Sequence, residues 1–522
     1  MYAKPVTDTQ IKNVAVNFMY KHSRKRLKVQ EIIDSKVMLS QYPKVKDENI
    51  KLIKLKPKGW VLVSGDDIAK PVLGYSLENT FDEHNIPPQL LAMLKSWSDE
   101  IAYAKKQTKI SVPIKTSIKW KKYSITPSNY IKQYASQQVF LKTSRAYDSW
   151  QLEQDVSLVT PRWGQNRYYN LYTPQDSRSI VGNDHTLTGC VATAMSEIIR
   201  YNQWPEVVQN LQAYDDNNRF NRPDTYQNIT PQRADTPYNW SAMPISSLTS
   251  PNDEVSRLIQ HAGIAVRMDY GYDKNGSEAD GYNYPTNVGT EVTNAMRHNF
   301  SYRHRGIHFR NQYDDSDWKS FLRTDLRQGF PIYYTGKSNV DENHTGGHAF
   351  VIEVFSTDDG DDYFSINFGW GGYGNGDFEL DHITADGYQY TNNQCAIFSL
   401  KPNNSTYRDV YEDDNTHKKA SYMRVGDTQA THSIDPANDT DWVTFWNDTY
   451  GSLRIETTNT SGDTVMYLYD SQGNQIAYND DFGGELSSKI DATLYSGRYY
   501  IKVISYHQQS IISSYDLKVT RN

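Results

Sequence analysis

The apolar positions of the first hundred residues predict strands followed by an amphipathic helix. Residues 59–65 and residues 71–75 form nearly continuous apolar runs, which are typical of buried strands. Between residues 89 and 102 the apolar side chains recur near helical spacing; they are Leu90, Leu91, Leu94, Trp97 and Ile101. We therefore expect a folded domain in this part of the chain.

The pattern weakens after this helix and then returns. Residues 103–145 have little apolar periodicity and are rich in Lys, Ser, Thr and Gln, which predicts an exposed connector that proteases can reach. From about residue 150 to residue 401 the helical and strand patterns alternate. This mixture is typical of an α+β domain.

From Asp409 onward the apolar period becomes two. Short strands are predicted at residues 441–445, 465–469 and 497–503, with Asp, Asn and Gly turns between them. This pattern is typical of a small all-β sandwich. The polar residues 402–405 are predicted to form the hinge in front of it.

Length and composition exclude several classes of protein. The chain has 522 residues, and at about three to four times the usual domain size it should contain several domains. Charged residues make up 22% and aromatic residues 13%, which excludes a collagen-like, disordered or coiled-coil protein. Two cysteines cannot form a disulfide-rich scaffold or a four-Cys metal site. No apolar run of about 18 residues predicts a membrane span.

Charge is distributed unevenly along the chain. Residues 1–150 contain 26 Lys and Arg against 13 Asp and Glu, whereas residues 151–522 contain 29 against 49. The two parts, with net charges of +13 and −20, should attract each other. A basic segment can also bind nucleic acid or a membrane. Because this one has the patterning of a folded domain, we expect neither partner.

Cys190 is a candidate nucleophile. Residues 188–201 show a helical periodicity that begins at or just before this cysteine. A thiol in the first turn lies at the positive end of the helix dipole, which stabilises the thiolate and lowers the thiol pKa. Gly189 removes side-chain bulk where a substrate would approach. The alternative is a small buried side chain without chemistry.

A cysteine nucleophile needs a base, and the base needs an orienting partner. Residues 346–355 and 363–367 are predicted to be two strands of a hairpin, with the turn at residues 356–362. In that register His348 and Asn367 lie opposite each other at the open end. The Asn367 amide would then fix the imidazole tautomer and leave the other ring nitrogen facing a thiolate. The alternative is a structural histidine at a strand start.

Three blocks around these residues resemble the active-site blocks of one family. The blocks are Thr188-Gly-Cys-Val-Ala-Thr-Ala, Gly346-Gly-His-Ala-Phe-Val-Ile and Ile366-Asn-Phe-Gly-Trp-Gly-Gly. They resemble the streptopain and interpain cysteine peptidases, which are secreted zymogens with a papain-like fold. Further similar blocks lie at residues 163–174 and 262–271, and the similarity spans roughly residues 1–401.

The resemblance implies a role for each matching residue. Cys190 would be the nucleophile, and His348 would be the general base and later the acid. Asn367 would orient His348. Gln165 would donate its amide to the oxyanion beside the Cys190 N–H, a kind of contact whose removal typically costs about 10²–10³ in rate. Phe368 stands where streptopain has Trp, so it could shield the His–Asn contact but offers no indole N–H.

The resemblance also implies a set of residues that contact the substrate. They are Gly189, Gly347, Met268, Asp269, Tyr270, Phe368 and Trp370. The family's preference for an apolar side chain one position before the scissile residue would place a pocket near residues 268–270. Cys395 matches no active-site block and is expected in the core.

The amino-terminal region resembles the family's pro-domain through the blocks at residues 59–67 and 72–76. This resemblance implies an inhibitory segment that docks on the acidic remainder and blocks the cleft until it is cut away. The alternative is a folding aid, and both roles are compatible. The alignment implies a mature start near residues 143–150, with Lys142 and Arg145 as cut sites.

The carboxy-terminal sandwich resembles the bacterial pre-peptidase C-terminal domain, an accessory module of secreted peptidases. Its loops contain carboxylates, the ligands that Ca²⁺ prefers. The candidate calcium ligands are Glu412, Asp414, Asp439, Asp441 and Asp480. The alternative is a set of solvated acidic turns. No other cofactor is expected, because no His, Cys and Glu spacing supports a catalytic zinc.

These inferences together predict an α+β fold with three domains. A pro-domain (1–145) precedes a papain-like cysteine peptidase domain (146–401), and an all-β sandwich (402–522) follows. We expect a secreted bacterial endopeptidase, made as a zymogen, that hydrolyses proteins and peptides through a thiolate–imidazolium pair and a thioester acyl-enzyme. No apolar leader follows Met1, so either the numbering begins after a removed leader, as a secreted protein requires, or the protein is cytosolic.

Two other functions stay open at this stage. A related Cys–His acyl transferase or amidase would use the same constellation. A catalytically dead adhesion protein would instead use the sandwich to bind matrix or surface material.

Overall fold

The computed structural model describes most of the chain, from Lys4 to Asn522. The described segments are residues 4–40, 49–106, 112–134, 155–216, 224–273, 276–279, 291–339, 345–358, 360–380, 394–404, 409–507 and 510–522. None of the described helices is both long enough and apolar enough to cross a bilayer.

The helices of these segments lie in the first two thirds of the chain. They are α1 (Asp8–Ser23), α2 (Ser35–Met38), α3 (Pro88–Lys106), α4 (Ile114–Tyr123), α5 (127–134), α6 (Cys190–Asn202), α7 (Asp253–Ala265), α8 (Glu291–His298) and α9 (Asp315–Arg327). The predicted helices at residues 89–102 and at Cys190 are confirmed. Each is amphipathic, so its apolar face packs into the core.

An antiparallel sheet of 11 strands extends from the amino-terminal region into the central region. Its order is β1-β2-β3-β4-β11-β10-β9-β8-β12-β7, and β5 also pairs with β9. The strands are β1 (Lys28–Asp34), β2 (Ile50–Lys56), β3 (Trp60–Ser64), β4 (Val72–Ser76), β5 (Val156–Ser157), β7 (Ile307–Phe309), β8 (Ile332–Asn339), β9 (Thr345–Asp358), β10 (Asp361–Asn367), β11 (Gly376–Phe378) and β12 (Gln394–Ile397). The two regions join where Gly74 of β4 pairs with Phe378 of β11.

Strand β9 lies between two cores. Ala349 and Val351 pack in the core that contains the apolar face of α6. Phe350 and Ile352 pack in the core that contains the apolar face of α3. The sheet therefore separates the helix that begins at Cys190 from the helix of the amino-terminal region.

The prediction of an exposed connector at residues 103–145 is wrong for its described part. Helix α3 continues to Lys106, and helices α4 and α5 follow. Trp120, Tyr123 and Tyr130 are buried, and the Asn17 side chain of α1 donates to the Tyr123 carbonyl at 2.9 Å. These aromatic side chains fill a core that the many lysines obscure in the sequence. Lys142 and Arg145 lie outside the described residues.

The predicted hairpin exists, but its predicted register is wrong. Strand β9 continues to Asp358, and Asn367 pairs with Val351 rather than with His348. The polar end of β9 remains a strand because its side chains bond to neighbours; the Tyr123 hydroxyl donates to Asp358 at 2.8 Å. A register shift next to Ser365 leaves Glu353 as an extra residue of β9, which is a β-bulge.

The predicted all-β sandwich is confirmed. Together with the helices and strands of the preceding regions, it also confirms the predicted α+β fold class. One sheet has the order β14-β16-β21-β18-β19 and the other β15-β22-β17-β20. The strands are β14 (Ser421–Tyr422), β15 (Thr428–Ile434), β16 (Asp441–Asn447), β17 (Gly451–Thr458), β18 (Thr464–Asp470), β19 (Gln475–Asn479), β20 (Lys489–Leu494), β21 (Gly497–Ser505) and β22 (Ile512–Arg521). Their inward side chains form a separate core.

The described part of the predicted hinge at residues 402–405 is not a free linker. Strand β13 (Lys401–Pro402) pairs with strand β6 (Tyr302–Arg303) of the central region. Beyond it, the Tyr422 ring packs edge-on against Phe321 of α9, with ring centroids 5.2 Å apart. The sandwich is therefore docked on the central region.

Candidate active site and acidic cluster

Cys190 is the first residue of α6, as the sequence predicts. Gly189 in front of it has φ +83°, a backbone conformation that favours glycine. A Cβ at this position would lie 2.8 Å from the Met268 side chain. Both observations require glycine here, and they place Met268 directly beside the candidate nucleophile.

The Cys190 thiol is half-buried against strand β9. The Ala349 N–H donates to Sγ at 3.4 Å, so the sulfur lies beside the residue that follows His348. Burial raises the thiol pKa, and the nearby Glu278 carboxylate raises it further, whereas the Ala349 N–H lowers it. The lowering of the thiol pKa that is expected with a cation nearby is not seen in this arrangement, because burial outweighs the helix N-terminus and no cation acts on the thiol among the described residues.

His348 is not paired with the thiol here. Successive side chains of a strand point to opposite faces, so the alternation along β9 directs His348 to the face of Phe350 rather than to that of Ala349. Within the described part of the chain its imidazole has no hydrogen-bond partner. Burial lowers the pKa of His348 to about 4. Thiol and imidazole are both neutral near pH 7, so the predicted thiolate–imidazolium pair is not formed in this arrangement.

Asn367 is fully buried and bonds to groups other than His348. Its amide N–H groups donate to the Thr160 hydroxyl at 3.0 Å and to the Pro161 carbonyl at 2.6 Å. Its carbonyl oxygen accepts from the Asn375 side chain at 3.0 Å. The expected orienting contact with His348 is absent here, because the hairpin register moves Asn367 toward residues 160–161.

Gln165 lies near the nucleophile. Its backbone carbonyl accepts from the Thr188 N–H at 3.0 Å, two residues before Cys190. Its side-chain amide, which is half-buried, donates to the Gly369 carbonyl at 3.5 Å. The structure therefore brings Gln165 next to the start of α6, where an oxyanion donor would act.

The expected substrate-contacting residues differ in exposure. Met268, Asp269, Tyr270 and Phe368 are buried, and Asp269 pairs through its backbone with Glu278. Trp370 is half-buried, and within the described residues its indole N–H has no acceptor. Gly347 lies in β9, and Cys395 is buried in β12 as expected. Met268 borders the start of the nucleophile's helix, at Gly189.

Two buried glutamates behind the site were not predicted. Glu197 on α6 and Glu353 on β9 are 0% and 2% exposed. Burial raises the pKa of Glu197 well above its ordinary value, although Arg162 acts in the opposite direction. The only signal in the sequence is that each glutamate interrupts an otherwise apolar face.

A second candidate site lies in the sandwich, where carboxylates converge. Glu412, Asp439 and Asp441 each offer an oxygen, and these oxygens lie within 4.8 Å of one another. Asp409, which the sequence analysis did not single out, forms a similar group with His432 and Asp441. Burial, and then mutual repulsion, raises the pKa of Glu412 and of Asp441.

The predicted ligands fall into two groups. Asp414 belongs to the cluster and interacts electrostatically with Glu412 and Asp441. Asp480 lies apart, between β19 and β20, where its carboxylate accepts from the Asp481 N–H at 2.9 Å. Within the described residues, one buried oxygen each of Asp414 and Asp441 has no hydrogen-bond donor. Such oxygens fit a hard cation of the Ca²⁺ type.

Comparisons with known proteins divide the chain into three matched parts. Residues 163–378 match the Peptidase C10 family. Residues 3–101 match the Spi protease inhibitor, and residues 439–505 match the bacterial pre-peptidase C-terminal domain.

Similar proteins cover most of the chain. Streptopain of Streptococcus pyogenes is 27% identical over 420 residues, which are 76% of this chain and 92% of streptopain. The thiol protease/hemagglutinin PrtT of Porphyromonas gingivalis is 27% identical over 361 residues, which are 66% of this chain and 36% of PrtT. A prointerpain A fragment of Prevotella intermedia has a TM-score of 0.48 and 23% identity, and the match covers 67% of this chain and 95% of the fragment.

The family models and the streptopain match confirm the resemblance to the streptopain-type peptidases and to the pre-peptidase C-terminal domain. The chain is a cysteine peptidase, with residues 163–378 similar to the Peptidase C10 family and an amino-terminal region similar to the Spi protease inhibitor.

Proposed function

We propose that this cysteine peptidase is the precursor of a secreted bacterial endopeptidase, with Cys190 as nucleophile, His348 as general base and Gln165 as oxyanion donor. Processing would remove residues up to about 145. The catalytic step would then be attack of the thiolate on a peptide carbonyl, with a thioester acyl-enzyme that water hydrolyses. The Cys190 contact with the Ala349 N–H at 3.4 Å carries the proposal, because His348 needs only a rearrangement at the start of β9 to reach Sγ.

The pro-domain would keep the Cys190 thiol and the His348 imidazole apart and in their neutral forms. Helix α3 packs in the same core as Phe350, on the sheet face that His348 shares. Beyond β10, Gly374 lies against Pro87, where a Cβ would be only 2.7 Å away, and the Asn79 side chain donates to the Asn375 carbonyl at 2.9 Å. Removal of these contacts would free the face that holds His348, so that the imidazole can turn toward the thiol.

The sandwich would bind Ca²⁺ through the acidic cluster, whose core residues are Glu412, Asp414, Asp439 and Asp441. A bound Ca²⁺ would neutralise carboxylates that otherwise repel one another. Its role here is structural, because the peptidase chemistry needs no cofactor. We also propose that the exposed side of the sandwich contacts matrix or surface material, since Tyr450 and Tyr495 form an exposed ring pair there.

Incubation of the full-length protein beside its Cys190→Ala variant tests this function. We expect the wild type to hydrolyse casein, to be blocked by an epoxide thiol inhibitor and to lose a fragment of about 145 residues. The variant should remain inert and uncut. An active Cys190→Ala protein would overturn the assignment of the nucleophile. Isopeptide formation or cell-wall cleavage with inert casein would favour the acyl transferase or amidase instead.

A further inference from the structure

The short segment of residues 160–165 connects every element that carries a proposed catalytic group. At its carboxy-terminal end, the Gln165 carbonyl accepts from the Thr188 N–H at 3.0 Å, just before α6. In its middle, the Trp163 N–H donates to a carboxylate oxygen of Glu197 at 3.2 Å. Since Gln165 is the proposed oxyanion donor, the position of this segment decides where that donor lies relative to Cys190.

The amino-terminal half of the segment is held by one carboxylate, that of Glu353. The Thr160 N–H donates to its Oε2 at 3.0 Å, and the Thr160 hydroxyl donates to the same oxygen at 2.6 Å. The Arg162 guanidinium lies 2.6 Å from its Oε1. Glu353 therefore binds a backbone group, a hydroxyl and a cation of one short segment, all at a buried position.

The β-bulge of strand β9 explains how Glu353 reaches this segment. Ser365 pairs with Val354 and Ile366 pairs with Ile352, which leaves Glu353 without a partner on β10. A bulge interrupts the regular alternation and re-aims a side chain. The Glu353 carbonyl also accepts from the Leu158 N–H at 3.0 Å, which fixes the chain just before the segment.

The same segment also holds strand β10. The Thr160 hydroxyl donates to Glu353 and accepts from the Asn367 amide at 3.0 Å. The Asn367 amide donates in addition to the Pro161 carbonyl at 2.6 Å. A continuous chain of hydrogen bonds therefore connects β9, the segment and β10.

We propose that Glu353 is a positioning residue for peptide hydrolysis, which holds residues 160–165 so that the Gln165 amide faces the oxyanion formed at Cys190. This inference rests on the proposed function. Loss of the Glu353 carboxylate would remove the acceptor of Thr160 and the ion-pair partner of Arg162 at a buried position, and it would let the segment shift. A misplaced oxyanion donor mainly lowers kcat, because the oxyanion exists only in the transition state.

The test uses Glu353→Gln, expressed as the full chain and processed in the same way as the wild type. Active-site titration with an epoxide thiol inhibitor gives the concentration of active enzyme. We expect kcat on a peptide substrate to fall about 10- to 100-fold and KM to change by less than about threefold. The conservative variant Glu353→Asp should recover part of kcat, since its carboxylate can still accept from Thr160.

Glu254 offers a matched control. It accepts from the Arg257 guanidinium at 2.6 Å and from the Asn239 N–H at 3.1 Å, so like Glu353 it binds a guanidinium and a backbone N–H, at a somewhat less buried position. It lies on α7, which carries none of the proposed catalytic groups. Glu254→Gln should lower the melting temperature about as much as Glu353→Gln does, but its kcat should stay within about twofold of wild type.

A double-mutant cycle distinguishes positioning of the Gln165 amide from a general loosening of the fold. In a Gln165→Ala background, Glu353→Gln should lower kcat by less than about threefold, because the donor that it positions is already gone. If Glu353→Gln does not accumulate as folded protein, Thr160→Val gives the same readout, with an expected loss of about 3- to 10-fold.

The outcomes separate this inference from the proposed function. Wild type that does not hydrolyse casein, or an active Cys190→Ala variant, would overturn the proposed function. An active wild type with an inert Cys190→Ala variant establishes it. In that case, a Glu353→Gln kcat within twofold of wild type, an equal loss in Glu254→Gln, or full additivity with Gln165→Ala would overturn the inference.

Discussion

The peptidase domain meets its two neighbours through junctions that handle charge differently. At the amino-terminal junction, lysines of the pro-domain pair with acids of the central sheet: Lys21 with Asp358, Lys119 with Asp361, and Lys70 with Glu379 at 2.9 Å. At the carboxy-terminal junction, the buried Lys401 ammonium donates to the Glu412 carbonyl beside a cluster of carboxylates. At the first junction the acidic side chains are paired with lysines of the same chain, whereas at the second junction the carboxylates outnumber the cations.

This difference indicates how each junction is controlled. Ion pairs between two segments of one chain weaken with salt, and once the connecting chain is cut they are lost when the released segment dissociates. Crowded buried carboxylates are instead stabilised by a cation from solution. Under the proposed function, the amino-terminal junction would be dismantled once by processing, and the carboxy-terminal junction would respond to the calcium concentration.

The strongest test of the amino-terminal junction is the reactivity of the thiol before and after processing. In the uncut chain the raised thiol pKa keeps Cys190 protonated, so alkylation by iodoacetamide should be slow at pH 6.5 and should rise with pH. In the processed enzyme the thiolate pairs with the imidazolium, and alkylation should be at least about 100-fold faster at pH 6.5. Mass spectrometry over minutes measures both rates, with the buried Cys395 as internal control. Equal rates would show that the pro-domain does not set the charge state of the site.

Calcium removal tests the carboxy-terminal junction. Chelation with EGTA should destabilise the sandwich by about 2.7 kcal/mol relative to Ca²⁺ at 100 times its Kd. For a domain of this size that is a fall of roughly 10 °C or more in melting temperature. The transition of the pro-domain should move much less. Calorimetry with and without Ca²⁺ measures both.

Two variants sharpen this calcium test. Without Ca²⁺, Asp441→Asn should raise the melting temperature of the sandwich, because it removes one of the repelling charges. With Ca²⁺, the sandwich of Asp441→Asn should be less stable than that of the wild type. Asp480→Asn is the control and should respond to Ca²⁺ as the wild type does. If EGTA leaves the melting temperature of the sandwich unchanged, the carboxy-terminal junction does not depend on calcium and the contrast between the two junctions is lost.

A smaller effect is expected from one ion pair at the amino-terminal junction. Asp361 lies near Lys70 and pairs with Lys119, at a largely buried position. Asp361→Asn should loosen the pro-domain by about 1.4 kcal/mol and speed processing about tenfold. Asp491→Asn, which breaks an exposed pair with Arg454 in the sandwich, should leave the processing rate unchanged. Electrophoresis over time follows both. An unchanged rate in Asp361→Asn would show that the shared core, and not charge, holds the pro-domain.

Local sequence patterns predicted the elements of the site well. The helix that begins at Cys190 follows from apolar spacing, and the sandwich follows from its period of two. Both of these patterns are set by residues that lie within about ten positions of one another in the sequence. The domain boundaries at residues 145 and 401 stay predictions.

Long-range contacts account for the errors. Nothing near His348 in the sequence shows that Glu353 would form a bulge, or that Tyr123 would keep Asp358 in the strand. The lysines around Trp120 hid a buried helix for a similar reason, since its partner α1 lies a hundred residues earlier. Asp409 joined the acidic cluster only because two distant loops meet there.

The sequence by itself predicted which residues would carry the proposed chemistry, because a thiol, an imidazole and an amide in characteristic local settings can be recognised without a fold. Only the tertiary structure decided which of them touch. A strand alternates its faces residue by residue, so the side chain of His348 points away from the face of Ala349, whose N–H meets the Cys190 thiol, and this separates the two groups at the start of β9. That separation depends on packing across the whole chain, which no local pattern records.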